Sequence, residues 1–161
     1  MKHQQEHGES KMNHYPRLLA MTAVSFAAMY ALMYAMVASA DDVYHNVNQV
    51  YMAGLMAAPM LLIELALMWG MYPNKRVNLA LASLAAVVAL SCFLAIRRQA
   101  VVADRQFLRS MIPHHSAAVL MCEQASISDP EIKTLCGNIV SSQTSEIRQM
   151  RAILQRKGVG Q

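Results

Sequence analysis

The chain has 161 residues, 55% of them hydrophobic and 15% charged, with a formal charge of +4 at pH 7, against about 25% charged residues in an average globular chain. Between positions 18 and 96 the only acidic or basic residues are Asp41, Asp42, Glu64, Lys75 and Arg76, which excludes both an ordinary soluble domain and a disordered chain. The basic residues after position 97 are interleaved with acids, which excludes a nucleic-acid footprint.

The tail, residues 1–17, carries Lys2, Lys11 and Arg17. Its histidines His3, His7 and His14, with Met12, resemble a weak metal-binding tail. Three apolar segments follow, at 18–40, 50–72 and 77–96. At 1.5 Å per residue each reaches roughly 30–35 Å, enough to cross a bilayer. The first is too long for a cleavable signal peptide, and the next segment follows after a short loop. Tyr15, Tyr44, Tyr51, Trp69 and Tyr72 fall near the predicted span ends, where aromatic belts belong.

Orientation follows from the basic residues. The loop 41–49 has none, whereas the turn 73–76 has Lys75 and Arg76. This predicts a cytoplasmic tail and second turn, with the first loop and the region 97–161 outside. Arg97, Arg98, Arg105 and Arg109 pull the other way, and the contrast between the short loops decides.

Nine of the fourteen methionines lie between positions 18 and 96. Met29, Met33 and Met36 recur at helical spacing, as do Met52, Met56 and Met60, with Met68 and Met71 beyond. Such stripes are either lipid-facing packing or a path for Cu(I). Glu64 is predicted near mid-membrane, where a carboxyl costs about 2.5–3.5 kcal/mol on insertion scales, so it should face protein or water. Pro59 predicts a kink in the same helix. The loop residues Asp41, Asp42 and His45 read as solvated, or as a loading point for a metal.

Residues 97–161 read as a helical hairpin. Phe107, Leu108, Met111, Ile112, Val119 and Met121 follow a helical period. Asp129, Pro130 and Glu131 form a helix start, with the aspartate at the N-cap. The second helix runs to about Arg156 and ends before Gly158. No strong breaker precedes Pro113, so the third span is expected to continue into the hairpin with little interruption. Pro113 predicts a kink just before His114 and His115. Two helices bury little core. A second copy completing a four-helix bundle is the simplest partner, and the chain's own outer loop is the alternative.

With the turn centred on residue 129, Cys122 meets Cys136, His115 meets Gln143, and Met111 or Ile112 meets Glu146 or Ile147. Leucines would fill a plain two-helix seam. Here imidazole, thioether, amide and carboxylate stand at matching levels, and burying them unpartnered is costly. Thioether and imidazole together suit Cu(I) better than magnesium or calcium. The competing reading is methionine core filler beside histidines that hydrogen-bond Gln143 and Glu146. Cys122 and Cys136 are either a disulfide, expected outside the cytoplasm and feasible at helix-packing distance, or two thiols completing a soft-metal site. Cys92 reads as a small packing residue in a span.

The run from Phe107 to His115, then Met121, the turn from Asp129 to Ile132, and the run from Ser142 to Met150 resemble the bacterial family called domain of unknown function 305. The likeness covers about 104–154, and its two-ended motif (Met-x-x-His-His, then Gln-x-x-Glu-Ile-x-x-Met) is specific. The three-span region resembles a membrane-anchored subgroup. The resemblance implies a ferritin-like helical bundle and, from some members, copper or silver binding outside the cytoplasm. It singles out Met111, His114, His115, Met121, Gln143, Glu146 and Met150 as metal positions. The Cys122/Cys136 pair lies outside its general pattern.

The expectation is therefore an all-α chain: a tail 1–17, three spans, and a hairpin 97–161 that completes a ferritin-like bundle by dimerisation. Its expected place is a bacterial inner membrane, and its expected task is to bind Cu(I) outside the cytoplasm and exchange it with a copper-handling partner. No catalytic residue is assigned. A structural or docking subunit is the second reading. A redox enzyme is third, because no Glu-x-x-His, Cys-x-x-Cys or His-Glu-x-x-His motif occurs.

Overall fold

The computed structural model describes residues 14–158, and five α-helices account for most of them, with no strand among the described residues. The expectations for His3, His7 and Met12 lie outside the described residues.

Helix α1 (Tyr15–Leu32) starts with a proline in its first turn and tightens into a 3₁₀ turn at Met33–Met36. It stops short of residue 40, and the chain that follows is tied to other segments. The Tyr34 hydroxyl donates to the Tyr44 carbonyl (2.7 Å), and the Ala38 N–H donates to Ser116 Oγ (2.8 Å). Helix α2 (Val47–Leu67) is capped by Asn46, whose Oδ1 accepts from the Gln49 N–H at 3.0 Å. It ends in a second 3₁₀ turn, Trp69–Met71. Glu64 therefore sits one turn from the end of its helix, not in the middle as a 50–72 span would have it. Helix α3 (Lys75–Arg98) is capped by Asn74, which accepts from the Arg76 and Val77 N–H groups.

All three helices are long and apolar enough to cross a membrane. Helix α2 is central: 33% of its most apolar window is buried, against 6% for α1 and for α3. The small core they share joins Leu18, Ala58, Leu61, Leu65, Tyr72 and Ala85. A Cβ placed on Gly54 would lie 2.9 Å from Cys92 Sγ, so α2 and α3 approach closely there. One polar knot closes an end of this layer. The Tyr15 hydroxyl meets Asn78 Oδ1 at 2.7 Å, and Asn78, fully buried, donates to the Tyr72 carbonyl at 3.1 Å.

The third apolar helix does not run into the hairpin. It stops at Gln99, which is left-handed (φ 48°), and Val101 is left-handed as well (φ 61°). A β-branched residue there is strained, so tertiary contacts must hold it. Gln99 Oε1 accepts from Asn48 (2.9 Å), and the Ala100 carbonyl accepts from the Tyr51 hydroxyl (3.1 Å). The break is imposed from α2, which the local sequence does not announce.

Helices α4 (Asp104–Gln124) and α5 (Pro130–Arg156) form the hairpin, and α4 stays helical through Pro113. Asp129 caps α5 by accepting from the N–H groups of Glu131 (2.8 Å) and Ile132 (3.1 Å). Leu108, Ile112, Ile147, Met150 and Leu154 form its core, with Tyr44 packed against them from the outer loop.

The hairpin docks on its own chain. Arg151 Nη2 donates to Asp42 Oδ1 (2.6 Å), and Ser116 Oγ donates to Asp42 Oδ2 (2.7 Å). The Val47 N–H donates to Gln106 Oε1 at 3.1 Å. Asp42 is thus buried and bonded rather than solvated. His45 stacks on Tyr30, with its Nδ1 3.0 Å from the Tyr30 hydroxyl.

Candidate functional site

The seven motif residues separate into different environments. The 100° step between successive helical residues divides His115 from His114. His115 is buried and turned toward α5. Its Nε2 stands 2.7 Å from Glu146 Oε2, and its Nδ1 stands 3.0 Å from the Met111 carbonyl. The partner of His115 is therefore Glu146, one turn further along α5 than the Gln143 expected from simple levels. A glutamate side chain spans that offset. Each ring nitrogen of His115 already faces an oxygen, so a metal at Nε2 would have to displace Glu146.

Met150 belongs to the hairpin core, and Met121 is exposed on the outside of α4. Gln143 keeps a buried Oε1 with no hydrogen-bond partner. These three do not join the histidines around one common point.

Met111, which also packs against the hairpin core, and His114, which is exposed, lie on adjoining parts of α4. Both border a cavity of about 430 Å³ between the hairpin and the ends of α1 and α2. Three further thioethers line it: Met33 and Met36 from the 3₁₀ turn after α1, and Met52 from the first turns of α2. The cavity therefore gathers four thioethers and one imidazole from three separate segments. Asn48 also borders it, and its Oδ1 is buried without a hydrogen-bond partner. A buried orphan acceptor is costly, so something that accepts electron density from oxygen suits the position.

Among the described residues no group of three or more His, Cys, Asp or Glu side chains is placed to hold a metal ion. A hard or borderline divalent site is thus not built from the usual donors. The thioethers gathered here are soft and uncharged, and with an imidazole they suit Cu(I) better than magnesium or calcium. Sequence reasoning found Met111 and His114. It had Met33, Met36 and Met52 only as members of stripes, because spacing along one helix does not say which stripe end meets another segment.

At the far end of the hairpin Cys122 and Cys136 form a disulfide, with Cα atoms 5.2 Å apart. As a disulfide they offer no thiolate to a metal.

The sequence profile of the family described as domain of unknown function (DUF305) matches residues 80–154. An uncharacterized protein of Acanthamoeba polyphaga mimivirus is 33% identical over 143 residues, covering 87% of this chain and 92% of that protein. No solved structure matches the chain.

Proposed function

The chain belongs to the family described as domain of unknown function (DUF305), and from that premise we propose that it is a non-enzymatic, membrane-anchored protein that binds Cu(I) outside the cytoplasm. The observation that carries this reading is the cavity where Met33, Met36, Met52, Met111 and His114 meet. The site is at the junction of the hairpin with the apolar helices, not inside the hairpin seam. A neutral donor set suits a monovalent soft ion, because no buried charge must be desolvated before the ion arrives.

Several features support the membrane setting. Leu67 is 81% exposed and Val24 68% exposed, a cost in water that lipid removes. Trp69, with Lys75 Nζ 5.1 Å from its ring centroid, suits a membrane interface. The disulfide suits an oxidising compartment and agrees with the orientation drawn from the loop charges. In a bacterial cell this would be the periplasmic side of the inner membrane, where a copper-handling partner would exchange the ion.

The test is competition for Cu(I) between a colorimetric chelator and the full-length protein in detergent. Tight binding that falls at least tenfold in Met111→Leu/His114→Ala and in Met33→Leu/Met52→Leu is the expected result. Affinity unchanged in both variants would overturn the reading.

A dimer remains part of the proposal for a separate reason. Phe107, Met121, Ile132 and Leu135 leave large apolar side chains exposed on the hairpin, the face a second hairpin would cover in a ferritin-like bundle. Light scattering of the detergent-solubilised protein distinguishes a two-chain particle from a single chain.

A further inference from the structure

The nine methionines between positions 18 and 96 are distributed unevenly in space. None is buried in the core of the apolar helices, so none serves as core filler. Met33, Met36 and Met52 border the cavity under the hairpin. Met21, Met68 and Met71 border a second cavity, of about 400 Å³, at the other end of the same helices. Met29, Met56 and Met60 border neither. At 1.5 Å per residue the 16 positions from Met52 to Met68 put the two groups about 24 Å apart.

We infer that this second cavity is another site for a soft monovalent cation, held by the thioethers of Met21, Met68 and Met71 with His14 and Glu64. The inference rests on the Cu(I) reading above for its choice of ion, and on its own residues for its place. Two helical faces converge there. Met21 lies one turn beyond Arg17 and Leu18 on α1, and His14 immediately precedes that helix, its side chain making no capping bond. Glu64, Met68 and Met71 follow at steps of four and three along the end of α2 and its 3₁₀ turn. Met21, Met68 and Met71 are exposed rather than packed into the core. Glu64 Oε1 accepts from the Tyr72 hydroxyl at 3.3 Å, which fixes the carboxylate while leaving it further acceptor capacity.

Charge selects the ion. Arg17 borders the cavity beside Glu64, so their formal charges cancel. A divalent ion gains no net field there, whereas thioethers bind Cu(I) or Ag(I) without needing one. The protein then holds two sites of like chemistry at opposite ends of its apolar helices, one under the hairpin and one beside the tail.

The test uses full-length protein in detergent and Ag(I), which needs no reductant and so leaves the disulfide intact. Metal bound per chain is measured in the wild type, in Met21→Leu/Met68→Leu/Met71→Leu and in Met33→Leu/Met36→Leu/Met52→Leu, since leucine keeps methionine's volume and apolarity. The expected result is the loss of one ion in each triple variant. Loss in the second variant alone would overturn this inference and leave the proposed function standing. Loss in the first alone would sustain the inference and remove the cavity under the hairpin. Unchanged stoichiometry in both would overturn both. Should the first variant fail to fold, peroxide oxidation of the wild type read by mass spectrometry decides: Ag(I) should slow oxidation of Met68 and Met71 at least severalfold, and equal rates would sink the site.

Discussion

His115 and Glu146 hold each other across the hairpin, Nε2 to Oε2, at 2.7 Å. The pair uses a nitrogen that a histidine ligand would otherwise offer, while its neighbour His114 stands on the exposed side toward the methionine cavity. The two histidines of one dipeptide therefore have different work.

A first prediction follows for metal affinity. His114→Ala should weaken Cu(I) binding at least tenfold, and Met121→Leu or Met150→Leu should leave it within about twofold. His115→Ala should instead lower hairpin stability by about 1–3 kcal/mol through lost packing and the lost hydrogen bond to Glu146. Chelator competition and chemical unfolding, run on the same variants, check both. Equal loss of affinity in the two histidine variants would contradict the division.

The clamp between loop and hairpin gives the second. Asp42 is nearly fully buried and Arg151 about two-thirds so. Removing one partner of a buried pair costs about 3–5 kcal/mol, and the partial exposure of Arg151 reduces this to about 1–3 kcal/mol. Arg151→Ala should expose residues 38–46 to faster amide exchange, as read by mass spectrometry. Unchanged protection there would mean the clamp is not holding the loop.

The third concerns the disulfide. Cys122 and Cys136 are separated by 14 positions, and closing a loop of that size contributes about 3 kcal/mol in the chain-entropy treatment. Cys122→Ser/Cys136→Ser should lower the hairpin's melting temperature by several degrees, while the metal cavity at the other end keeps its affinity. Thermal circular dichroism and chelator competition on the double variant test the two halves of that statement.

A fourth is a pH effect with a defined sign. Lys157 Nζ hydrogen-bonds Asp104 and holds its carboxyl below the usual carboxylate range, the hydrogen bond acting first and the charge second. A depressed carboxylate pKa stabilises the fold above the unfolded value, and that stabilisation is lost as pH falls through the folded value. The window is therefore below about pH 4. The carboxyl is fully exposed, so the contribution is small. In a carboxyl NMR titration Lys157→Ala should raise the Asp104 midpoint, and an unmoved midpoint would refute the pairing.

The fifth tests helix contact. Gly54→Ala pushes a methyl against Cys92 Sγ and should cost about 1–3 kcal/mol as overpacking. Adding Cys92→Ala should restore most of it. A double-mutant cycle on unfolding in detergent shows the coupling as a non-additive term, and strict additivity would place the glycine's role elsewhere.

Much of this was legible in the sequence. Hydropathy marked three long apolar helices, the Asp129 cap was readable from its turn, and counting outward from residue 129 paired Cys122 with Cys136. What escaped depends on residues far apart in the chain. The left-handed Gln99 and Val101 are held by Asn48 and Tyr51 from another helix. Asp42 looked solvated because its partner, Arg151, is 109 positions away. The motif read as one ligand set because helical spacing places residues on a face but does not name the neighbour that face meets.

That long separation has a consequence for biosynthesis. At about 5–20 residues per second, a ribosome that has added Asp42 needs roughly 5–20 s more to add Arg151. During that interval the loop carboxylate lacks the Arg151 guanidinium, so the clamp between outer loop and hairpin cannot close until residue 151 has been added. A stop codon shortly before the codon for Arg151 would leave Asp42 with Ser116 but without its guanidinium, and the truncated chain would present a looser outer loop to the proteases that patrol a membrane surface.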